Sequence, residues 1–178
     1  MTAFPVGWSQ LVLVVTSAVL LQTAWTDLRE YKIRNDRVLA LLGLFVLYAV
    51  LNGQWAGLGW NVAFAALMFL AMFVFYLMGW MGAGDVKIMG VAFLWTGISD
   101  ALMFAILLGL FCAMHSLAAT RGWVKSRETA SGHRGIIPFA PSVAAALICI
   151  FILRAAHVDL AHILAYVGPW FWFIAQPR

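Results

Sequence analysis

The sequence predicts an all-α, polytopic integral membrane protein with about six transmembrane helices, and three observations predict it. Of 178 residues, 65% are hydrophobic and only 10% are charged, whereas a soluble domain is about half apolar and about a quarter charged. Mean hydropathy is +0.95, which means more apolar surface than one core of this size can hide. The apolar residues also fall into runs separated by short stretches that hold most of the charge. Together these features exclude a disordered tail, a collagen, a coiled coil and a soluble globular enzyme. Eleven Lys and Arg against seven Asp and Glu leave a net charge of +4, too thin and scattered for a nucleic-acid surface. Cys112 and Cys149 lie inside apolar runs without CxxC spacing, which indicates neither a disulfide framework nor a zinc knuckle.

The first run, 6–25, carries no charge and is long enough for roughly 30 Å of hydrocarbon. No Lys or Arg precedes it and no good small-residue cleavage site follows, so a retained helix is expected rather than a signal peptide. Further spans are expected near 38–51, 58–80, 86–97, 101–120 and 139–156, the second and fourth of them short. The tail, 158–175, is apolar and rich in Trp but broken by Gly168-Pro169, as in a re-entrant or interfacial segment. Residues 1–178 thus read as one membrane-embedded domain, with lipid around it.

Basic residues set the orientation. Arg29, Lys32, Arg34 and Arg37 follow the first span, and Arg121, Lys125, Arg127 and Arg134 follow the fifth. Both loops belong in the cytoplasm by the positive-inside rule. They fall on one side only if the short fourth run is a span of its own. Merging 86–120 into one helix would send the second basic loop outside and bury Asp100, which reads better as a turn residue on the outer side. Trp8, Trp25, Trp55, Trp80, Trp95, Trp123 and Trp170 lie near run ends, as an interfacial belt would.

Of the seven acids, Glu30, Asp36 and Glu128 lie in loops beside basic residues, and Asp159 sits near Arg154 and His157. Two acids remain. Asp27 closes the first span, and Asp85 lies in Met81-Gly82-Ala83-Gly84-Asp85-Val86-Lys87 with apolar helix on both sides. An ionisable group in a membrane segment is costly and marks a functional site by default. Spans one and three run in the same direction, so Asp27 and Asp85 fall at the same cytoplasmic depth. Two carboxyls a few Å apart can share one proton, which supplies a base to activate water and an acid for a departing amine. Gly79, Gly82, Gly84 and Gly90 clear side chains from around Asp85. The residues alone leave other readings open. Asp27 can be a helix-end charge with Asp85 paired to Lys87, or the two acids can form the proton or ion path of a small carrier or channel. A structural subunit of a secretion machine would leave both acids idle.

Gly82-Ala83-Gly84-Asp85-Val86-Lys87 resembles the GxGDxK signature of the type IV prepilin peptidases, a family of membrane aspartic proteases. Asp27 with Ile33-Arg34-Asn35 resembles their first motif, an aspartate followed six residues later by Ile-Pro-Asn, with Arg34 in place of the proline. Ile137-Pro138-Phe139-Ala140-Pro141 looks like the family's proline-containing start of a late helix. The resemblance implies that Asp27 and Asp85 are a catalytic dyad, that no metal or cofactor is used, and that the membrane is the bacterial inner membrane with the site toward the cytoplasm. It also implies a prepilin or pseudopilin partner, cut on the cytoplasmic side of its hydrophobic helix after a small residue. Nothing in the sequence could form the cytoplasmic CxxC insert of larger, methylating members. The chain is therefore similar to the short, peptidase-only form that serves Flp pili and tight-adherence systems.

Gly82, Gly84, Lys87, Asn35 and Pro138 are the residues expected to shape the site. Lys87 either tunes the dyad or snorkels to headgroups, and Asn35 either positions the loop after Asp27 or, the favoured reading, caps the second span. His115, His133, His157 and His162 show no i,i+4 pair, so no metal site is expected. The sidedness is testable directly. Cysteines introduced at Thr129 or Ser131 should resist an impermeant thiol reagent in intact cells, and cysteines at Asn52 or Gln54 should react. Labelling of 121–134 from outside would reverse the topology.

Overall fold

The computed structural model describes residues 6–53, 55, 57–122 and 138–156. These form five helices, with no strand among the described residues: α1 (Val6–Glu30), α2 (Asn35–Asn52), α3 (Leu58–Leu77), α4 (Ala83–Thr120) and α5 (Ala140–Ala155). α1 to α4 are each long and apolar enough to cross a membrane, and α5 is a shorter apolar helix. The chain is a multi-pass helical membrane protein. The second basic loop beyond Gly122 and the apolar tail 158–175 lie outside the described residues.

α1 continues past the expected end of its span at Trp25 to Glu30, so Asp27 belongs to its last turn rather than to a loop. Arg29 lies over the Trp25 ring at 4.4 Å, a contact that lets the charge leave the apolar zone while its stem stays on the helix. Buried hydroxyls inside α1 are satisfied locally: Thr16 donates to the Val12 carbonyl and Thr23 to the Val19 carbonyl, each at 2.7 Å.

α4 is the element that organises the bundle. Its 38 residues would reach about 57 Å as a straight rod, nearly twice the hydrocarbon thickness. The chain instead turns back at Gly97, whose φ of 62° and ψ of −168° are not helical. Contacts with α5 mark the reversal. Near its start, Asp85 shares a cavity with Phe139, just before α5. In the middle, the Thr96 carbonyl accepts Arg154 Nη2 at 3.0 Å, at the far end of α5. Further on, His115 Nδ1 is 3.4 Å from Ser142 Oγ, back at the start of α5. The stretches expected as separate spans, 86–97 and 101–120, are two limbs joined without a loop. One glycine suffices because its backbone sits in a region essentially closed to other residues.

The first limb is buried nearly all round: Val86, Ile88, Met89, Val91, Ala92, Phe93 and Trp95 are all in the core. A helix apolar on every face belongs inside the protein rather than at its surface, and a limb surrounded by protein need not match the membrane thickness. α3, which packs on α4, presents most of its other side chains outward and buries only Ala65. Trp95 departs from the expected interfacial belt. It is 2% exposed, its Nε1 donates to the Leu41 carbonyl at 3.2 Å, and its ring meets Phe45, Tyr48 and Phe151 at centroid distances of 5.1–5.5 Å. Trp8, Trp25, Trp55 and Trp80 are exposed.

Asp100 is likewise not a free turn residue. Its Oδ2 accepts Arg154 Nε and Nη2, both at 2.6 Å, with the two side chains 24% and 28% exposed. This ion pair ties the second limb of α4 to the end of α5 about one helical turn beyond the kink. Beside it, Asn61 of α3 fills the space a Gly97 side chain would need, since an added Cβ would stand 2.6 Å from Asn61 Oδ1. Replacing Gly97 by Ala should therefore cost about 1–3 kcal/mol and lower the thermal unfolding midpoint in detergent. Gly109→Ala, on the same helix with nothing within 4 Å of the new Cβ, should leave the midpoint unchanged or raise it.

Candidate active site

The ends of five helical segments converge at the face opposite the Gly97 reversal: the end of α1, the starts of α2 and α4, the end of α4 and the start of α5. α1 stops just after Asp27 because Tyr31 turns into the left-handed region, φ 54°, and its N–H closes on the Asp27 carbonyl at 2.9 Å. A left-handed tyrosine is strained, and it lines the cavity beside Asp27.

Asp27 is 5% exposed, and its carboxyl is held by another helix. Its Oδ2 accepts the Ala140 N–H at 3.0 Å, and the Phe139 N–H points at the same group. Ala140 is the first residue of α5, and no side chain of α5's own N-cap residue, Phe139, caps it. Asp27 thus acts as a capping group supplied from α1 to a helix more than a hundred residues away in the chain. Pro141 falls in the same first turn, where its missing N–H removes one donor that would otherwise need a partner.

Asp85 reaches the cavity from a helix start as well. Gly82, in an extended conformation, is the N-cap of α4, and the Asp85 carboxyl three residues on folds back toward the Gly82 N–H, as the acidic member of a capping box does. A side chain at Gly82 would stand 3.1 Å from Asp85 Oδ2. Asp27 and Asp85 line one cavity of about 330 Å³ together with Tyr31, Ile33, Gly84 and Pro138, and their charges interact across it.

The remaining sequence-predicted residues separate into those that build this cavity and those that do not. Gly84 lets Ile33 close in, since a Cβ there would lie 3.3 Å from Ile33 Cβ. Asn35 does not cap α2, contrary to the favoured expectation: it is the first residue of α2, the cap position is Arg34, and no side chain makes a capping bond. Its Oδ1 instead accepts Lys87 Nζ at 3.0 Å, so Asn35 and Lys87 form a bridge between α2 and α4 at the rim. Arg34, where the family motif has proline, pairs with Asp36 at 3.1 Å in an exposed position, and the turn still delivers Ile33 to Gly84. Gly90 faces Phe69 rather than Asp85. Pro138 is buried in the cavity wall.

Sequence reasoning missed three contributors. The backbone N–H groups of Phe139 and Ala140 carry no side-chain signal. Tyr31 stands between charged residues and shows nothing of its φ. His115, whose sequence neighbours show no pattern that marks it, lies within electrostatic range of Asp27 because the second limb of α4 returns to this face. Among the described residues no group of three His, Cys, Asp or Glu could hold a metal ion.

A model of the type IV leader peptidase family matches residues 13–117, a stretch that contains Asp27, Asn35, Gly82, Gly84, Asp85 and Lys87. No curated protein and no solved structure gives a significant match.

The cap on α5 separates the structural role of Asp27 from any chemical one. Asp27→Asn keeps an acceptor oxygen for the Ala140 N–H and should unfold within a few tenths of a kcal/mol of the parent. Asp27→Leu removes the acceptor and should cost about 1–2 kcal/mol. Thermal unfolding of both variants in detergent checks the difference, and equal midpoints would mean that the α5 terminus does not rely on Asp27.

Proposed function

The chain belongs to the type IV leader peptidase family, and from that membership, which makes it a membrane hydrolase, we propose that it is an aspartic endopeptidase whose dyad is Asp27 and Asp85. One observation carries the reading: the carboxyls of two residues remote in sequence line the same cavity and interact there. Two carboxyls in that relation share a proton more readily than both ionise. The unprotonated member takes a proton from water as its oxygen attacks the scissile carbonyl. The protonated member gives its proton to the carbonyl oxygen; the other, now holding the proton from water, passes it to the departing amine as the C–N bond breaks, and the first takes a proton back from the diol, so that a carboxyl and an amine are released.

The substrate we infer is a Flp-like prepilin or pseudopilin, cut at the cytoplasmic end of its apolar helix. Charge distribution supports that side. Arg29, Lys32, Arg34, Arg37, Lys87 and Arg121 belong to segments that end or begin at the cavity face, whereas Arg154 at the other end is neutralised by Asp100. The same argument favours a bacterial inner membrane with the cavity toward the cytoplasm. The two cysteines, Cys112 and Cys149, form no CxxC pair of the kind the methylating members carry, which favours cleavage without methylation of the new N-terminus. The carrier alternative has less support: Thr16, Ser17 and Thr23 of α1 bond to carbonyls of their own helix instead of forming a polar file leading away from Asp27.

Co-expression with a Flp-type prepilin tests the dyad through the mass shift of leader loss. Asp27→Asn and Asp85→Asn should each reduce cleavage by several orders of magnitude, and the double variant should be little worse, because groups acting as a unit are strongly non-additive. Glu30→Gln and Asp36→Asn should keep most activity. Substantial cleavage by either dyad variant would remove the aspartic mechanism.

A further inference from the structure

A second cavity of about 460 Å³ opens on the lipid-facing side of the bundle between α2, α3 and the first limb of α4, and its lining is almost wholly apolar. Its two long walls are helical stripes. Val62, Ala66 and Phe69 face it from α3, and Lys87, Val91 and Leu94 from α4, each set spaced by three or four residues so as to lie on one face. The groove has a direction. α3 and the first limb of α4 pack on each other, so Val62 and Leu94 mark its end toward the Gly97 reversal and Phe69 and Lys87 its end toward the Asp27–Asp85 cavity. From Leu94 to Lys87 is about 10 Å along the axis, or about two turns of helix.

Lys87 lines both this groove and the cavity that holds the two aspartates, so the groove is continuous with the site. Its ammonium is held to one side by the Asn35 carbonyl at 3.0 Å, which places the charge at the rim and leaves the stem along the apolar wall. Val62 and Phe69 are exposed, so this apolar wall lies uncovered where the occupant would enter from the membrane.

We propose that this groove receives the apolar helix of the substrate, packed against α3 and the first limb of α4 beside α2, with its cytoplasmic end at Lys87, so that the bond just beyond the helix falls into the cavity of Asp27 and Asp85. The inference rests on the leader-peptidase reading above. It favours a peptide helix because both walls present ridges at the spacing by which helices interlock, and because the groove ends at a peptide-cleaving site. Small Ala66 in the wall allows close approach of a second backbone.

Photo-crosslinking in liposomes tests the docking separately from the chemistry. A benzophenone side chain is placed at Val62 or Ala66, and for comparison at Ile106 or Leu110 on the outward face of the second limb of α4, each in the Asp85→Asn background with a Flp-type prepilin co-reconstituted. Adduct with the prepilin helix should form at least ten times more at the groove positions. Equal yields, adducts with lipid alone, or adducts with a second copy of this chain would each overturn the proposal. Crosslinking needs no cleavage, so residual activity of Asp85→Asn would defeat the dyad and leave the groove standing, whereas an inactive Asp85→Asn without groove adducts would do the reverse.

Discussion

A helix that begins within a membrane protein exposes the N–H groups of its first turn where little water can reach them, and each must find an acceptor. In this protein α5 meets that requirement with Asp27, whose carboxyl accepts the Ala140 N–H from across the bundle. The bond fixes where α5 starts, and α5 in turn packs on the returning limb of α4, with Arg154 on Asp100 and Ser142 beside His115. A single charged group therefore joins the packing of α1, α4 and α5. Its burial is tolerable because the donors it satisfies would otherwise be unpaired.

The reversal at Gly97 makes the convergence possible. A straight α4 would carry His115 and Arg121 far from Asp85. The turn brings them back to the same face and leaves the first limb, with Asp85 at its start, enclosed by neighbouring helices. The price of that enclosure is a backbone conformation restricted to glycine, held in place by Asn61 on one side and the Asp100–Arg154 pair on the other. Architecture and site are thus coupled. Helices short enough to be buried inside the bundle bring their N-terminal ends to one cavity, and two of those ends are occupied by carboxylates.

The two aspartates reach their cavity in different ways. Asp27 caps the start of another helix, while Asp85 folds onto its own helix start. Unequal surroundings are what a shared-proton pair needs if its members are to take different roles in one reaction. The rim is built from the same motifs: Ile33 reaches Gly84 and Asn35 reaches Lys87, so the segment after Asp27 and the segment around Asp85 recognise each other by shape and by one hydrogen bond. Lys87 then links this rim to the apolar groove open to lipid.

The sequence by itself determined the class, the helices and the candidate acids, because those follow from local quantities. Apolar runs long enough to span hydrocarbon mark α1 and α3, and an acid set within such a run, as Asp85 is, stands out by its cost. The glycines around Asp85 could be read for the same reason, whereas Ile33-Arg34-Asn35 stood out only by its resemblance to a family motif. The tertiary structure alone decided which groups meet. That Asn35 bonds Lys87 instead of capping α2, that Trp95 is a core residue, and that Asp100 pairs with Arg154 depend on how distant helices pack, and no local spacing carries that information. The same is true of the Ala140 N–H on Asp27. A backbone donor looks alike at every residue, and only the fold selects the one that an aspartate more than a hundred residues away will satisfy.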